Sequence, residues 1–269
     1  MQDAQRTVLL IGAGGGMGRA SAELLTKNGF QVVGIDRDET DAPECSRLIH
    51  ADVTDPLSIR SAHETLLSES ASLYAIVYMA GIYDTDSLIE IDEARMRRIF
   101  EVNVFGAYRA IRTFFPLLEK QGRVVLVTSE LAPLDPLPFT GLYGITKGTL
   151  EQYAFSLAME LQLLDVSVSV IRPGAVETPL LNRSVERIES FTQNTALYPD
   201  QAERFLYVTR KVESKSVQPK AVAKKLYRAL TARRPRFLYT LNSSPLLKLY
   251  GILPKQWKLK AIKTYLRQK

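Results

Sequence analysis

The 269-residue chain holds one cysteine, two histidines and one tryptophan, and no apolar run approaches the roughly 18 consecutive residues of a membrane-spanning helix. Cys45 has no second cysteine to pair with and no neighbours at metal-ligand spacing, so a reducing cytoplasmic setting is expected and no metal site is indicated. His50, near the end of an apolar run, and His63, in a helical stretch, read as ordinary hydrogen-bonded or surface histidines. No stretch is dominated by Gly, Ser and Pro, and neither a repeat nor a low-complexity segment divides the chain. One domain over 1–269 is expected. The polar start at Gln2, Asp3 and Gln5 passes straight into Val8–Ile11 without a signal-peptide pattern.

Acidic residues are almost absent from one end. From Arg210 to Lys269 there are 17 Lys or Arg against one acid, Glu213, a balance of +16. The remaining 18 bases and 28 acids give −10, so the net +6 belongs to the C-terminal fifth alone.

What is present is a recurrence of short Val-, Ile- and Leu-rich runs: Val8–Ile11, Val32–Ile35, Leu48–His50, Leu73–Tyr78, Val124–Thr128, Val166–Ile171, and a late one at Phe237–Thr240. Runs without polar alternation suit strands covered on both faces. The stretches between them read as helices, for example Arg19 to Asn28 with Gly29 as its C-terminal stop. Alternating strand and helix implies an α/β fold, a Rossmann-type doubly wound parallel sheet of about seven strands flanked by helices, with ligands at the carboxyl ends of the strands.

Directly after the first run comes Gly12-Ala13-Gly14-Gly15-Gly16-Met17-Gly18, opening a helix. Glycines permit a tight turn that brings backbone N–H groups against a pyrophosphate, while the helix N-terminus adds partial positive charge. A glycine cluster alone equally describes a plain flexible turn. Asp36, at the end of the second run, stands where an acid meets the adenosine ribose hydroxyls and repels the extra phosphate of NADP. NAD is therefore expected, with NADP as the alternative because Arg37 can hold a 2′-phosphate.

Tyr143 and Lys147 lie four apart, on one face of a helix, and Ser129 follows the run Val124–Thr128, so its hydroxyl emerges at the same carboxyl edge. An exposed aromatic–lysine pair has the same spacing. Phenol, with a pKa near 10, is a poor base at neutral pH; a neighbouring ammonium such as Lys147, together with the nicotinamide cation, is expected to lower it.

The ordered set resembles the short-chain dehydrogenase/reductase family, whose pattern is T-G-x-x-x-G-x-G, N-N-A-G, Ser and Y-x-x-x-K. Gly12, Gly16 and Gly18 match the first motif, Ala80 and Gly81 the second, Ser129 the serine, and Tyr143 with Lys147 the last. Asn103 matches the family's further catalytic asparagine. Asp52-Val53 looks like its adenine-contacting pair, and Pro173-Gly174-Ala175-Val176-Glu177-Thr178 resembles its segment beside the nicotinamide. The resemblance runs from about Arg6 to Thr178. Ile11 departs from the usual Thr, and Tyr78-Met79 from the usual Asn-Asn. The resemblance implies that Asn103, Ser129, Tyr143 and Lys147 are catalytic: Tyr143 exchanges a proton with the substrate oxygen, Ser129 hydrogen-bonds that oxygen, Lys147 also holds the nicotinamide ribose, and Asn103 positions a water. It implies dinucleotide contacts from Gly12, Gly14, Gly15, Gly16, Met17, Gly18, Asp36, Arg37, Asp52, Val53, Ala80, Gly81, Asn103, Tyr143, Lys147, Pro173, Gly174, Val176 and Thr178, and a homodimer or homotetramer.

Substrate identity is expected to depend on 179–216, read as a lid carrying Leu180, Leu181, Ile188, Phe191, Leu197, Tyr198, Phe205, Leu206 and Tyr207, and on the apolar loop Leu131 to Phe139. Core packing explains the lid residues equally well. The stretch from Phe139 to Leu181 looks like the hydroxysteroid and retinol dehydrogenase branch, which implies an alcohol or ketone on a bulky hydrophobic skeleton. The alternatives are a 3-oxoacyl-thioester reductase or polyol dehydrogenase, and, from another class, a nucleotide-binding scaffold without turnover. The basic C-terminal extension, 241–269, interleaves Leu, Trp and Tyr with Lys. It suits either an anionic membrane surface or packing on the acidic body; no nucleic-acid recognition motif accompanies the charge.

Overall fold

The computed structural model describes residues 6–38, 42–69, 71–213 and 215–267; the polar start at residues 2–5 and the last two residues lie outside them. Each apolar run becomes a strand: β1 Thr7–Ile11, β2 Gln31–Asp36, β3 Arg47–His50, β4 Leu73–Tyr78, β5 Leu118–Val127, β6 Ser167–Pro173 and β7 Leu238–Leu241. They form one parallel sheet in the order β3-β2-β1-β4-β5-β6-β7. The helices are α1 Gly16–Lys27, α2 Pro56–Ser68, α3 Glu93–Phe100, α4 Gly106–Phe114, α5 Gly141–Leu161, α6 Pro179–Asn194, α7 Pro199–Glu213, α8 Pro219–Thr231, α9 Pro245–Ile252 and α10 Lys255–Arg267.

Because strand side chains alternate, an unbroken apolar run feeds two cores at once. Leu9 and Ile11 join the layer covered by α2, α4 and α5, whereas Val8 and Leu10 join the one covered by α1 and α8. The strand order reverses between β1 and β4, which opens a crevice at their carboxyl ends.

Local details differ from the sequence expectation where polar residues or glycines interrupt the pattern. Helix α1 begins at Gly16 and not near Arg19, since Gly16 to Gly18 form its first turn. Strand β5 starts at Leu118, well before Val124, and passes an irregularity against β4 where Gln121 adopts φ 61° beside the buried Gly122. His63 is half-buried: its ring lies 6.0 Å from that of Phe114, and Nε2 is buried with no hydrogen-bond partner among the described residues.

The segment expected as a lid is two consecutive helices, α6 and α7. Ile188, Phe191 and Phe205 are buried in a cluster with Phe139 and Leu266, so core packing accounts for them. Leu197 and Tyr207 stay exposed.

Candidate active site

Every sequence-derived candidate lies on, or directly after, the carboxyl end of a strand or on the helix that follows. After β1 the chain turns at Gly12, whose φ of 88° few side chains tolerate; a Cβ there would stand 2.6 Å from Ala80 N. At Gly18 a Cβ would meet Gly12 O at 2.1 Å. These two glycines let the turn, the start of α1 and the Ala80-Gly81 loop after β4 close on one another. Gly15 caps α1 without a side-chain bond, and no acid lies in the first turn, so the orphan N–H groups there keep their positive field. Gly16 faces Thr178, with 3.0 Å between a built Cβ and Thr178 Cγ2, which brings the segment after β6 against the glycine turn.

At the end of β2, Asp36 Oδ2 accepts from Gly14 N–H at 2.8 Å, so the carboxylate is held at the mouth of the turn. The exposed Arg37 guanidinium bonds Asp38 at 3.2 Å. Asp52 accepts from the amide and hydroxyl of Thr54, both at 2.8 Å, and buried Val53 lends its carbonyl to Arg109. A glycine cradle that any Cβ would fill, a helix N-terminus free of acid and an edge carboxylate suit a dinucleotide.

Ser129, one residue beyond Thr128, is buried at the edge of β5, and α5 turns Tyr143 and Lys147 inward beside it. The Lys147 ammonium donates to Val127 O at 3.2 Å and lies 5.8 Å from the centre of the Tyr143 ring. Tyr83 packs on the other side of that ring, with centroids 4.8 Å apart. A Cβ on Gly81 would sit 3.2 Å from Lys147 Nζ and 3.3 Å from Asn103 Oδ1; glycine is what lets the loop pass between them.

The protein's own groups do not by themselves lower the Tyr143 pKa. Burial pushes the phenol up to about 12, with only the hydrogen bond from Ser129 opposing it. The same desolvation pulls Lys147 down to about 8. Taking either charge out of water costs more than the surrounding dipoles return.

Asn103 lies in a π-helical turn, Glu101–Phe105, between α3 and α4. Its Oδ1 accepts from Ile82 N–H at 2.9 Å, while Nδ2 donates to Ile82 O and to Thr146 Oγ1, both at 3.0 Å. Both amide protons are thus committed, and the side chain holds the Gly81-Ile82 loop and α5 together. Thr146, which passes the link on to Tyr143 O at 2.9 Å, is a polar residue within Y-x-x-x-K whose only signal was its helical spacing. Tyr78, in place of an asparagine, donates from its buried hydroxyl to Val102 O at 2.6 Å and so ties β4 to the π-turn. Met79 fills the second position, accepting a long contact from Ser21 Oγ at 3.8 Å.

The loop between Ser129 and Tyr143 is secured from the C-terminal side. Glu130 accepts from Ser244 N–H at 2.7 Å, and Asp135 accepts from the buried Lys258 ammonium at 2.8 Å. Phe139 adopts φ 64° and is held there by Phe191, Tyr198 and Phe205, at centroid distances of 4.8, 5.3 and 5.5 Å.

The family model described as short chain dehydrogenase matches residues 6–189. The 3-ketodihydrosphingosine reductase of Bacteroides thetaiotaomicron is 24% identical over 253 residues, covering 93% of this chain and 92% of its own. Retinol dehydrogenase 8 of Bos taurus is 28% identical, covering 94% and 88%. Among solved structures, a short chain dehydrogenase/reductase from Burkholderia phymatum in complex with NAD has a TM-score of 0.74 at 22% identity, over 100% of this chain and 97% of its own.

Proposed function

The chain belongs to the short-chain dehydrogenase family, oxidoreductases acting on alcohol and ketone groups with NAD or NADP, and from that premise we propose that it interconverts a secondary alcohol and ketone on a bulky hydrophobic, steroid-, retinoid- or lipid-like skeleton, with NAD as coenzyme. The observation that carries this reading is the convergence of Ser129, Tyr143 and Lys147 at the carboxyl edge, beside the apolar loop 131–139. Relatives named for a sphingoid ketone and for retinol support an apolar substrate. Residues 179–216 act as a lid on one working domain, in which Leu180 and Leu181, half-buried at the start of α6, are available to a ligand.

When bound, the dinucleotide supplies or takes up the hydride; Gly12 to Gly18, Asp36, Asp52, Val53, Ala80, Gly81 and Pro173 to Thr178 hold it. Tyr143 gives its phenol proton to the substrate oxygen in reduction, leaving a phenolate, and it is as that phenolate that it takes the proton of the hydroxyl in oxidation. Ser129 holds the same oxygen by a hydrogen bond. Lys147, still largely charged at pH 7, favours anionic character on Tyr143 and binds the nicotinamide ribose. Asn103 is a positioning residue. NAD is favoured because Asp36 stands at the turn and Arg37 is already paired with Asp38.

A homo-oligomer fits the exposed Phe105 at the end of the π-turn, Tyr108 on α4, whose ring meets Tyr153 of α5, and Phe155 and Met159 on α5. Contact of the basic C-terminal segment with an anionic membrane belongs to the same reading. The test is nicotinamide absorbance with a panel of ketosteroids, retinoids, 3-oxoacyl thioesters and polyols, using both coenzymes. Turnover of the apolar ketones with NADH is the expected result. Turnover of polyols or thioesters alone moves the function to that alternative, and silence across the panel favours the scaffold.

A further inference from the structure

We propose that the outer side of α9, continued by Trp257 at the start of α10, is a docking surface for an anionic lipid bilayer. This deepens the reading above by naming the face that meets the membrane, and it rests on that reading only for its effect on activity.

The C-terminal hairpin divides its residues between two sides. On the inner side, Leu266 and Ile262 enter the Phe139–Phe191–Phe205 cluster. Lys258, itself buried, donates to Asp135 at 2.8 Å and to Gly251 O at 3.0 Å. That cation is spent on the protein, and Lys255, though exposed, also lies 3.9 Å from Asp135. Lys248, Lys255, Lys260, Lys263 and Arg267 all remain exposed.

The outer side is apolar without being covered. No residue of α9 is buried, although six of its eight are apolar or aromatic. Leu246, Leu249 and Ile252 recur every third residue and are 59, 58 and 78% exposed, and Trp257 is 65% exposed. An apolar line of this kind marks a surface that another phase covers.

Charge selects the occupant. From Leu241 to Lys269 there are seven bases and no acid. A second copy meeting this face across a two-fold axis sets cation against cation. An anionic bilayer satisfies both features: headgroup phosphates receive the lysines, the acyl boundary receives Leu246, Leu249 and Ile252, and Trp257 suits the interface between them. Gly251 lies against Leu134, with 3.1 Å between a built Cβ and Leu134 Cδ2, so a docked bilayer adjoins the loop between Ser129 and Tyr143. An apolar ketone dissolved in lipid then reaches the site without crossing bulk water.

Sedimentation of the full chain with vesicles tests this, comparing phosphatidylcholine alone with equal parts phosphatidylcholine and phosphatidylglycerol. The expected result is pelleting with the anionic vesicles at low salt, release as salt rises, and at least a tenfold weaker partition for the combined Leu249→Ser, Ile252→Ser and Trp257→Ser variant, with its Tm unchanged. The paired charge reversals Lys248→Glu and Lys260→Glu are expected to weaken binding similarly if the serine variant fails to fold. A full chain left in the supernatant, equal pelleting with neutral vesicles, or a folded variant that pellets like the parent overturns the proposal. Assays on dispersed ketones without vesicles separate the two readings: activity there without vesicle binding removes docking alone, and vesicle binding without activity on any apolar ketone removes the substrate assignment alone.

Discussion

Tyr143 and Lys147 sit one helical turn apart, and burial moves them in opposite directions, the phenol up to about 12 and the ammonium down to about 8. Tyr143→Phe keeps the ring against Tyr83 and removes the proton carrier. Turnover is expected to fall by at least about 100-fold while dinucleotide binding, read by NADH fluorescence, is retained. Lys147 gives a stability test with a definite sign. Unfolded, it holds its proton to about 10.5; folded, it loses it near 8, so between these values the unfolded state binds more protons and stability rises with pH. Lys147→Met removes a cost of roughly 3 kcal/mol below pH 8. Denaturant titrations are expected to show the variant more stable than the parent at pH 7, with the gap narrowing steadily toward pH 10; a constant gap refutes the buried-charge account. Asp36→Ala is expected to narrow the preference for NAD over NADP in kcat/KM. A parent that prefers NADP places Arg37 above Asp36. These residues were legible because each carries its chemistry in its type and stands at a fixed offset from a strand end. Thr146 and Asp135 were not, since their roles depend on partners 43 and 123 positions away, Asn103 and Lys258.

The π-turn at Glu101–Phe105 is the element on which the loop after β4 and the catalytic helix both depend, through Asn103. Its own anchor is the Tyr78 hydroxyl, 2.6 Å from Val102 O, with Gly106 leaving room for it: a Cβ on Gly106 would stand 2.6 Å from the Tyr78 oxygen. Tyr78→Phe leaves a buried carbonyl without this donor. A loss of about 1–2 kcal/mol in denaturant unfolding is expected, with kcat reduced more than KM because the proton-transfer geometry loosens. Unchanged stability and kcat together would remove Tyr78 from that role. The strands and their class were readable from unbroken apolar runs, which have no other stable solution than a sheet covered on both faces. The π-turn was not: its extra residue is an accommodation to Tyr78 and Gly106, and periodicity carries no trace of it. The early start of β5 was hidden for a similar reason: Leu118 pairs with Leu73, and the mostly polar Glu119 to Gly122 lie in the irregularity between that pair and Ala75–Arg123, so no apolar run announces them.

At the scale of the whole molecule, acid and base are separated along the chain, and two of the exposed apolar surfaces are those of α4 with α5 and of the outer C-terminal hairpin. For the first, Tyr108→Glu combined with Phe155→Glu is expected to convert a dimer or tetramer to monomer by light scattering without loss of secondary structure. A parent that is already monomeric refutes that assembly face. The sheet order has a consequence for how the chain is made. β1 ends between β2 and β4, and Val8 finds Ala75 only after most of the first third has been synthesised. Until Leu73–Tyr78 leaves the ribosome, the nascent chain carries β1, apolar and buried from Val8 to Ile11 in the finished fold, with one hydrogen-bonding edge bare, the condition under which slow, non-local pairing competes with aggregation. Slower translation before β4 is therefore expected to lower the yield of native protein in expression trials without changing the stability of the finished fold.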